Sequence, residues 1–454
     1  MARPRCRRRG RRARPRPVRP DAGGPPSGAR RPLAASGAAS AGRSRGHRST
    51  GRRGGQSRAD PLASGPAMGT TGPVTMARAV TIDDLRRRAR RRLPRAVFDF
   101  VEGGAGDEVT IARNRAAFAR LVFQPHILVD VTKRDQATTV LGVPLATPVL
   151  TAPTGMAGLC WPKGELVAAR AAHRAGTVYT LSTHASCSIE EVAAGAPGPL
   201  WFQLYVWQNR DLTRSFVERA RRAGYRALVL TVDVPVPSTR ERDVRNGFTI
   251  PPRVTLRNAL DTLRRPGWMR RVLLGPRLTL ANLVGAPGAP RADLVTLGGV
   301  ANRQIDPSVG WADLAWFRSL WSGPLVLKGV LSVADARRAV EHGVDGLIVS
   351  NHGGRQLDGS PASVAVLPEI AEAVGARVEV LLDGGVRRGT DVVKALALGA
   401  RAVMIGRPYL YGLSAGGEAG VTRVFQILKG QIDETLALIG VPRAVDLDRS
   451  ILRG

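Results

Sequence analysis

The feature that most narrows the fold is a repeat in kind: from residue 148 onward, short apolar runs alternate with Ala- and Arg-rich helical stretches, punctuated by Gly. Eight runs read as strands, at 148–152, 178–182, 200–204, 227–232, 325–328, 346–350, 378–382 and 402–405. Strands separated by helices pair in parallel, since each must cross over the sheet face to reach its neighbour. Eight of them predict an α/β fold, a (β/α)8 TIM barrel. Crossover helices are visible at 212–223, 333–342 and 390–398, while the interval 232–325 is too long for a crossover and predicts a long insertion after strand 4. N-terminal helices precede the barrel. Thr81 is placed to cap one, with Leu85 and Leu93 on its apolar side, and Pro94 starts a second that runs through Phe98 and Val101 to Gly103 and Gly104.

Charge divides the chain at residue 75. The whole carries +32, but residues 1–75 hold 18 Arg and no Lys against Asp21 and Asp60, so about half the excess lies in a sixth of the length. With 10 Pro, 13 Gly and few large apolar side chains, residues 1–75 cannot bury enough surface to offset chain ordering and read as a disordered Arg/Pro/Gly-rich tail. Met68 and Met76 are alternative starts near its end. No aromatic residues interleave the charges as stacking platforms, so nucleic acid is not the expected partner. Residues 76–454 form the folded domain. Cys6, Cys160 and Cys187 are scattered without metal-ligand spacing, so no metal site is expected, and they suit a reducing compartment. Neither a spanning apolar run nor a secretory pattern is present, and the expected location is cytoplasmic.

In a barrel of this kind, side chains just past each strand's C-terminal end converge on one mouth. There the sequence places Thr154, Ser182, Gln203 with Tyr205, Thr231 with Asp233, Lys328, then Ser350, Asn351 and His352. Strand 7 ends in Asp383, Gly384, Gly385 and Arg387, and strand 8 in Gly406 and Arg407. Glycines expose backbone N–H groups, and guanidinium groups beside them make a phosphate site near the last two strands. Lys328 can stabilise negative charge arriving on a conjugated cofactor. His352 has the side chain suited to taking a proton near neutral pH, and Arg240 and Arg355 are placed to hold a carboxylate.

The run Ser350-Asn351-His352-Gly353-Gly354-Arg355-Gln356-Leu357-Asp358, with Asp383 to Gly389 and Lys328-Gly329, closely resembles the FMN-dependent 2-hydroxy acid oxidase and dehydrogenase family, which includes glycolate oxidase, L-lactate dehydrogenase, lactate monooxygenase and mandelate dehydrogenase. The resemblance spans about residues 80–454. It implies that His352 takes the proton while Asp233 stabilises the imidazolium. Arg240 and Arg355 would clamp the substrate carboxylate, and Tyr205 would bond its 2-oxygen. Lys328 would lie near the flavin, with Thr154, Gly155, Ser182, Gln203, Thr231 and Ser350 around the ring. Asp383, Gly385, Arg387, Gly406 and Arg407 would surround ribityl and phosphate. It further implies a homotetramer that converts an (S)-2-hydroxy acid to a 2-oxo acid, the electrons going to a quinone or another acceptor. The alternatives are oxygen, as in an oxidase or a lactate monooxygenase-like enzyme, and a non-catalytic barrel that binds an anionic metabolite.

Several positions depart from the pattern. Phe100 stands where many members carry a Tyr whose hydroxyl contacts the substrate carboxylate; the missing donor would be worth roughly 1.5–3 kcal/mol unless replaced. The other reading is an apolar pocket mouth suited to an aryl or longer aliphatic acid. His184 lies where members vary a large specificity residue. Gly155 replaces an Ala found in several members and leans toward the lactate dehydrogenase or monooxygenase branch. Within the insertion, residues 266–274 and 278–281 mix Trp, Arg and apolar side chains without a spanning stretch. That pattern fits either a lid on the barrel or a peripheral contact with the inner face of the cell membrane.

Overall fold

The computed structural model describes residues 76–247, 255–276, 278–284, 286 and 304–453, all inside the unit Met68–Gly454. The tail expected at residues 1–75 lies outside the described residues. Eight parallel strands form the barrel: β1 (Val149–Thr151), β2 (Tyr179–Ser182), β3 (Leu200–Leu204), β4 (Ala227–Thr231), β5 (Leu325–Val330), β6 (Gly346–Val349), β7 (Glu379–Asp383) and β8 (Ala402–Ile405). The ladders run in the order β2-β3-β4-β5-β6-β7-β8-β1. The remaining gap is bridged where Thr151 N–H donates to the Val178 carbonyl at 3.3 Å and Thr180 N–H donates to Thr151 Oγ1 at 3.0 Å. All eight expected strands are present, those at 200–204 and 402–405 with the same bounds.

Alternation along the strands divides the core in two. Leu150, Trp201, Val229, Val326, Ile348, Leu381 and Met404 fill the barrel interior. Leu228, Leu327, Leu347, Leu382 and Val403 belong to the layer under the helices. Thr138–Val140 and Val143–Leu145 form an antiparallel hairpin whose Val140 and Leu145 join the interior cluster. Its turn, Leu141 and Gly142 at φ 48° and 75°, has both central residues left-handed, as a two-residue hairpin with matching twist requires.

Helix α1 (Ile82–Arg92) begins where expected, with Thr81 and Asp84 in a reciprocal capping box. Helix α2 (Arg95–Glu102) follows Pro94. Helix α3 (Val109–Arg120) was not anticipated: its buried face mixes Thr110 and Asn114 with Ala117 and Phe118, so its apolar periodicity is weak.

The insertion faces two ways. Trp268, Leu280 and Leu283 are buried, and Trp268 Nε1 donates to the Leu159 carbonyl at 2.8 Å. On the helix Leu256–Leu263, by contrast, no residue is buried, and Leu256, Leu260 and Leu263, spaced to share one face, are 78%, 49% and 61% exposed.

Candidate active site

The C-terminal ends of the strands open into a cavity of ≈ 420 Å³. The turn after β6 brings His352 into it. His352 Nδ1 lies 3.0 and 3.2 Å from the two Asp233 carboxylate oxygens, and its Nε2 lies 3.5 Å from the Tyr205 hydroxyl. A carboxylate at Nδ1 favours the tautomer protonated there, which leaves Nε2 as the acceptor facing Tyr205. Burial works against the Asp233 carboxylate, but the His352 charge and hydrogen bond, with the Lys328 charge, outweigh it and hold the carboxyl below its ordinary range. Burial raises the Tyr205 phenol, and the Asp233 charge adds to the rise, so its hydroxyl remains a donor.

Lys328, at 3% exposure, donates to Ser350 Oγ at 2.9 Å and pairs with Asp383 Oδ2 at 2.8 Å. Burial alone would lower this ammonium, but the Asp383 and Asp233 charges raise it above its ordinary value. Ser350 Oγ also accepts from the His352 N–H at 3.0 Å, so one hydroxyl ties the lysine to the histidine turn.

Around the same mouth, buried polar atoms lack partners within the described chain: Gln203 Nε2, Thr231 Oγ1 and Asp383 Oδ1. Gln203 keeps its other atom occupied, Oε1 accepting from Ser182 Oγ at 2.9 Å. Orphaned groups of this kind cost free energy unless a ligand completes them. Gln203 offers a donor, as a ring carbonyl requires; Asp383 offers an acceptor, as a polyol hydroxyl requires. Beyond Asp383, Gly384 and Gly385 adopt φ 96° and 89°. A Cβ at Gly385 would lie 2.6 Å from the Asn114 carbonyl, so this close passage of backbone past helix α3 demands glycine. Arg387, Gly406 and Arg407 also line the cavity, with Gly406 at the N-terminus of the helix that begins at Arg407, a position favourable to an anion. Donors, acceptor, glycine step and helix start together fit FMN.

The two expected carboxylate clamps meet at one ring. The guanidinium carbons of Arg240 and Arg355 lie 5.5 and 5.3 Å from the centroid of Phe100. Phe100 thus holds both cations by its π-face, a role that the missing hydroxyl did not suggest. Arg355 Nη1 also donates to the Phe100 and Gly103 carbonyls at 2.8 and 2.9 Å. Burial and the nearby Arg240 and Arg407 charges lower the Arg355 guanidinium well below its ordinary value, so an incoming anion is favoured there.

Arg407 is differently engaged from the phosphate contact expected of it. Its Nε donates to Val101 and Glu102 carbonyls, Nη1 to Gly353 and Nη2 to Gly103, at 2.7–3.2 Å. It caps the carbonyl end of α2 and ties it to the histidine turn while still lining the cavity.

Other expected positions lie nearby. The His184 ring packs 4.9 Å from Tyr205, and burial pushes its imidazole down to about 4. A methyl at Gly155 would come 3.2 Å from His184 Cβ and 3.3 Å from its carbonyl oxygen, so the missing methyl lets the two segments pass closely. Thr154 Oγ1 is hydrogen-bonded to the Tyr409 hydroxyl. Sequence reasoning missed Tyr409, which follows Arg407-Pro408 on strand 8's helix, and the lining residues Ile305 and Asp243. Leu280, in the segment 278–281 that reads as either a lid or a membrane contact, also lines the cavity.

The FMN-dependent dehydrogenase family model matches residues 89–454. A putative L-lactate dehydrogenase of Mycobacterium tuberculosis is 48% identical over 364 residues, covering 80% of this chain and 86% of the relative. Glycolate oxidase of Spinacia oleracea is 44% identical over 369 residues, covering 81% and 94%. The crystal structure of the monotopic membrane protein (S)-mandelate dehydrogenase superposes with a TM-score of 0.80 at 43% identity, covering 83% of this chain and 99% of that one. With the cofactor-shaped mouth and the matched family spanning the barrel, the chain belongs to the FMN-dependent dehydrogenases.

Proposed function

We propose that this enzyme oxidises an (S)-2-hydroxy acid to the 2-oxo acid and passes the electrons to a quinone. The observation that carries the reading is the His352–Asp233 pair, with Tyr205 at Nε2 and two arginines beside it in one cavity. Arg355 and Arg240 bind the substrate carboxylate and turn the hydroxyl-bearing carbon toward His352. His352 Nε2 accepts the proton released as the substrate is oxidised, Asp233 stabilises the imidazolium, and Tyr205 donates to the substrate's 2-oxygen. FMN, when bound, supplies the two-electron acceptor chemistry. Lys328, Ser350 and Asp383 would hold its polar edge, Gln203 and Thr231 would complete their hydrogen bonds on it, and Gly385, Arg387 and Gly406 would surround its phosphate, while Arg407 holds the end of α2 to the histidine turn.

Phe100, Met156, Leu159, Val234, Leu280 and Ile305 line the same cavity, which favours an aryl or longer aliphatic side chain over glycolate. Relatives described as L-lactate dehydrogenase, glycolate oxidase and (S)-mandelate dehydrogenase bracket that choice. Anaerobic mixing of the FMN-loaded enzyme with aryl, short and long (S)-2-hydroxy acids tests the reading. Flavin bleaching identifies the substrate, and subsequent addition of oxygen or a soluble quinone identifies the acceptor. Absence of bleaching across the panel overturns the assignment.

The outward leucines of the insertion support a peripheral membrane contact, and so does the likeness to a protein described as monotopic. Burial and, after it, the Arg271 and Arg88 charges lower the Arg92 guanidinium, which places the basic end of α1 beside the insertion. Among the described residues no helix is long and apolar enough to cross a membrane. The cytoplasmic face of the cell membrane is the location this reading assigns. Homotetramer formation completes it, supported by the apolar tip Ile127-Leu128, 82% and 100% exposed; sedimentation of the holoenzyme tests the assembly.

A further inference from the structure

The turn that carries His352 is conformationally costly. His352, Gly353 and Gly354 are all left-handed, at φ 57°, 64° and 74°. Glycine adopts that region freely, whereas a histidine does so only where its surroundings over-determine it. Ser350 Oγ, Arg407 and the Ala105 N–H each hold part of this turn, and the neighbouring Asn351 anchors its start. Its Nδ2 donates to Asn114 Oδ1 at 2.8 Å and to the Pro361 carbonyl at 2.9 Å, and its Oδ1 accepts from Asn114 Nδ2 at 2.9 Å and from Gly354 N–H at 3.1 Å. The Asn351 amide is saturated, two bonds given and two received. Two of the four involve Asn114, on helix α3 outside the barrel, and both amides are buried, at 2% and 4% exposure.

Asn114 also reaches the other side of the mouth. Its Oδ1 accepts from Ser363 N–H at 3.3 Å. A Cβ on Gly384 would stand 3.3 Å from its Nδ2, and one on Gly385 would stand 2.6 Å from its carbonyl oxygen. One residue therefore packs against both the histidine turn and the glycine step of the cofactor end.

We propose that Asn114 is a positioning residue for the reaction assigned above: its reciprocal amide pair with Asn351 holds the left-handed turn that presents His352 to Asp233 and Tyr205. The inference rests on that functional reading for its kinetic consequence, but the geometry it asserts can be read without turnover. In a buried reciprocal pair, each amide satisfies the other with no water available to substitute. Losing one side leaves Asn351 with an unmatched donor and acceptor, and the strained turn can then relax away from Asp233.

The test uses FMN-loaded N114A and N114D beside the parent enzyme. N114D keeps the shape but sets a carboxylate oxygen against Asn351 Oδ1. Both are expected to lower the limiting rate of anaerobic flavin reduction at least tenfold, while affinity for the matching 2-oxo acid, read from flavin absorbance, stays within threefold. The His352 Nδ1 proton shared with Asp233 should give a downfield magnetic resonance in the parent that is lost or displaced in N114A. Reduction within twofold of the parent in FMN-loaded N114A, with that resonance unmoved, overturns the proposal. Failure of both variants to hold FMN and fold also overturns it, making Asn114 part of the scaffold alone. If no hydroxy acid bleaches the parent, the functional reading fails, and the resonance still decides whether Asn114 positions His352.

Discussion

The barrel mouth and the outer face of the insertion are both unsatisfied within the described chain, and in opposite senses. At the mouth, polar atoms of Gln203, Thr231 and Asp383 are buried without partners. On the insertion, Leu256, Leu260 and Leu263 are exposed without cover. A buried polar orphan asks for a small ligand with complementary hydrogen bonds, because nothing else can reach it. An exposed apolar face framed by arginines asks for an extended surface with apolar depth and negative charge. The difference separates chemistry from location: changes at the mouth should alter flavin behaviour and spare membrane binding, and changes on the insertion should do the reverse.

The largest effect that would break this separation is at His352. H352A is expected to retain FMN and to lose substrate-driven flavin reduction by about 10²–10⁴-fold; stopped-flow reduction at the parent rate would remove His352 from the mechanism. Next is Lys328. K328M leaves the Asp383 and Asp233 carboxylates without their shared cation in a buried site. The cost should be on the order of 3–5 kcal/mol, seen as weaker FMN retention and a lower thermal midpoint. An unchanged midpoint and flavin content would contradict the pairing.

A smaller effect belongs to the insertion. L260E should reduce partition onto anionic phospholipid vesicles roughly tenfold, since a fully buried leucine contributes about 1.5–3 kcal/mol. Its reduction rate in solution should not change. Vesicle binding equal to the parent's would assign the exposed face to another partner.

The smallest expected change is with pH. Asp233 titrates below its ordinary 3.8, so its stabilising contribution is complete above that value and is lost only as pH falls through the depressed one. Lys328 titrates above its ordinary 10.5, so its contribution is complete below that value and is lost as pH rises through the elevated one. Between about pH 5 and 9 neither changes charge, and the holoenzyme's thermal midpoint should carry no step from this pair. A step in that window abolished by D233N or K328M would show that one of them titrates there.

Much of the site was legible because a parallel barrel converts sequence position into spatial position. A polar residue at a strand end that continues the inward-facing alternation points to the mouth, so Ser182, Gln203, Thr231, Lys328, Ser350 and Asp383 could be placed together from the sequence. Pairings between segments that the barrel does not order were not legible. Phe100 was read as a missing donor or an apolar pocket mouth, and neither reading held the contact of its ring with both clamp arginines. Arg407 was read as a phosphate ligand, whereas its donors meet the carbonyl end of α2 and Gly353. Helix α3 was missed because Thr110 and Asn114 interrupt its apolar face, and those interruptions are the residues that reach the barrel: Thr110 N–H bonds the Asp358 carboxylate at 2.8 Å.

The sequence by itself determined the barrel, its insertion and the ring of chemical groups at its mouth, because strand periodicity and crossover spacing are local properties that add up to one closed geometry. Only the tertiary structure decided how the N-terminal helices lock that ring and which way the insertion turns its leucines. Those outcomes depend on directional hydrogen bonds and ring contacts between residues far apart in the chain, such as the 237 positions that separate Asn114 from Asn351. No local pattern records such a pairing, since an asparagine on a helix reads the same whether its partner is water or a buried amide.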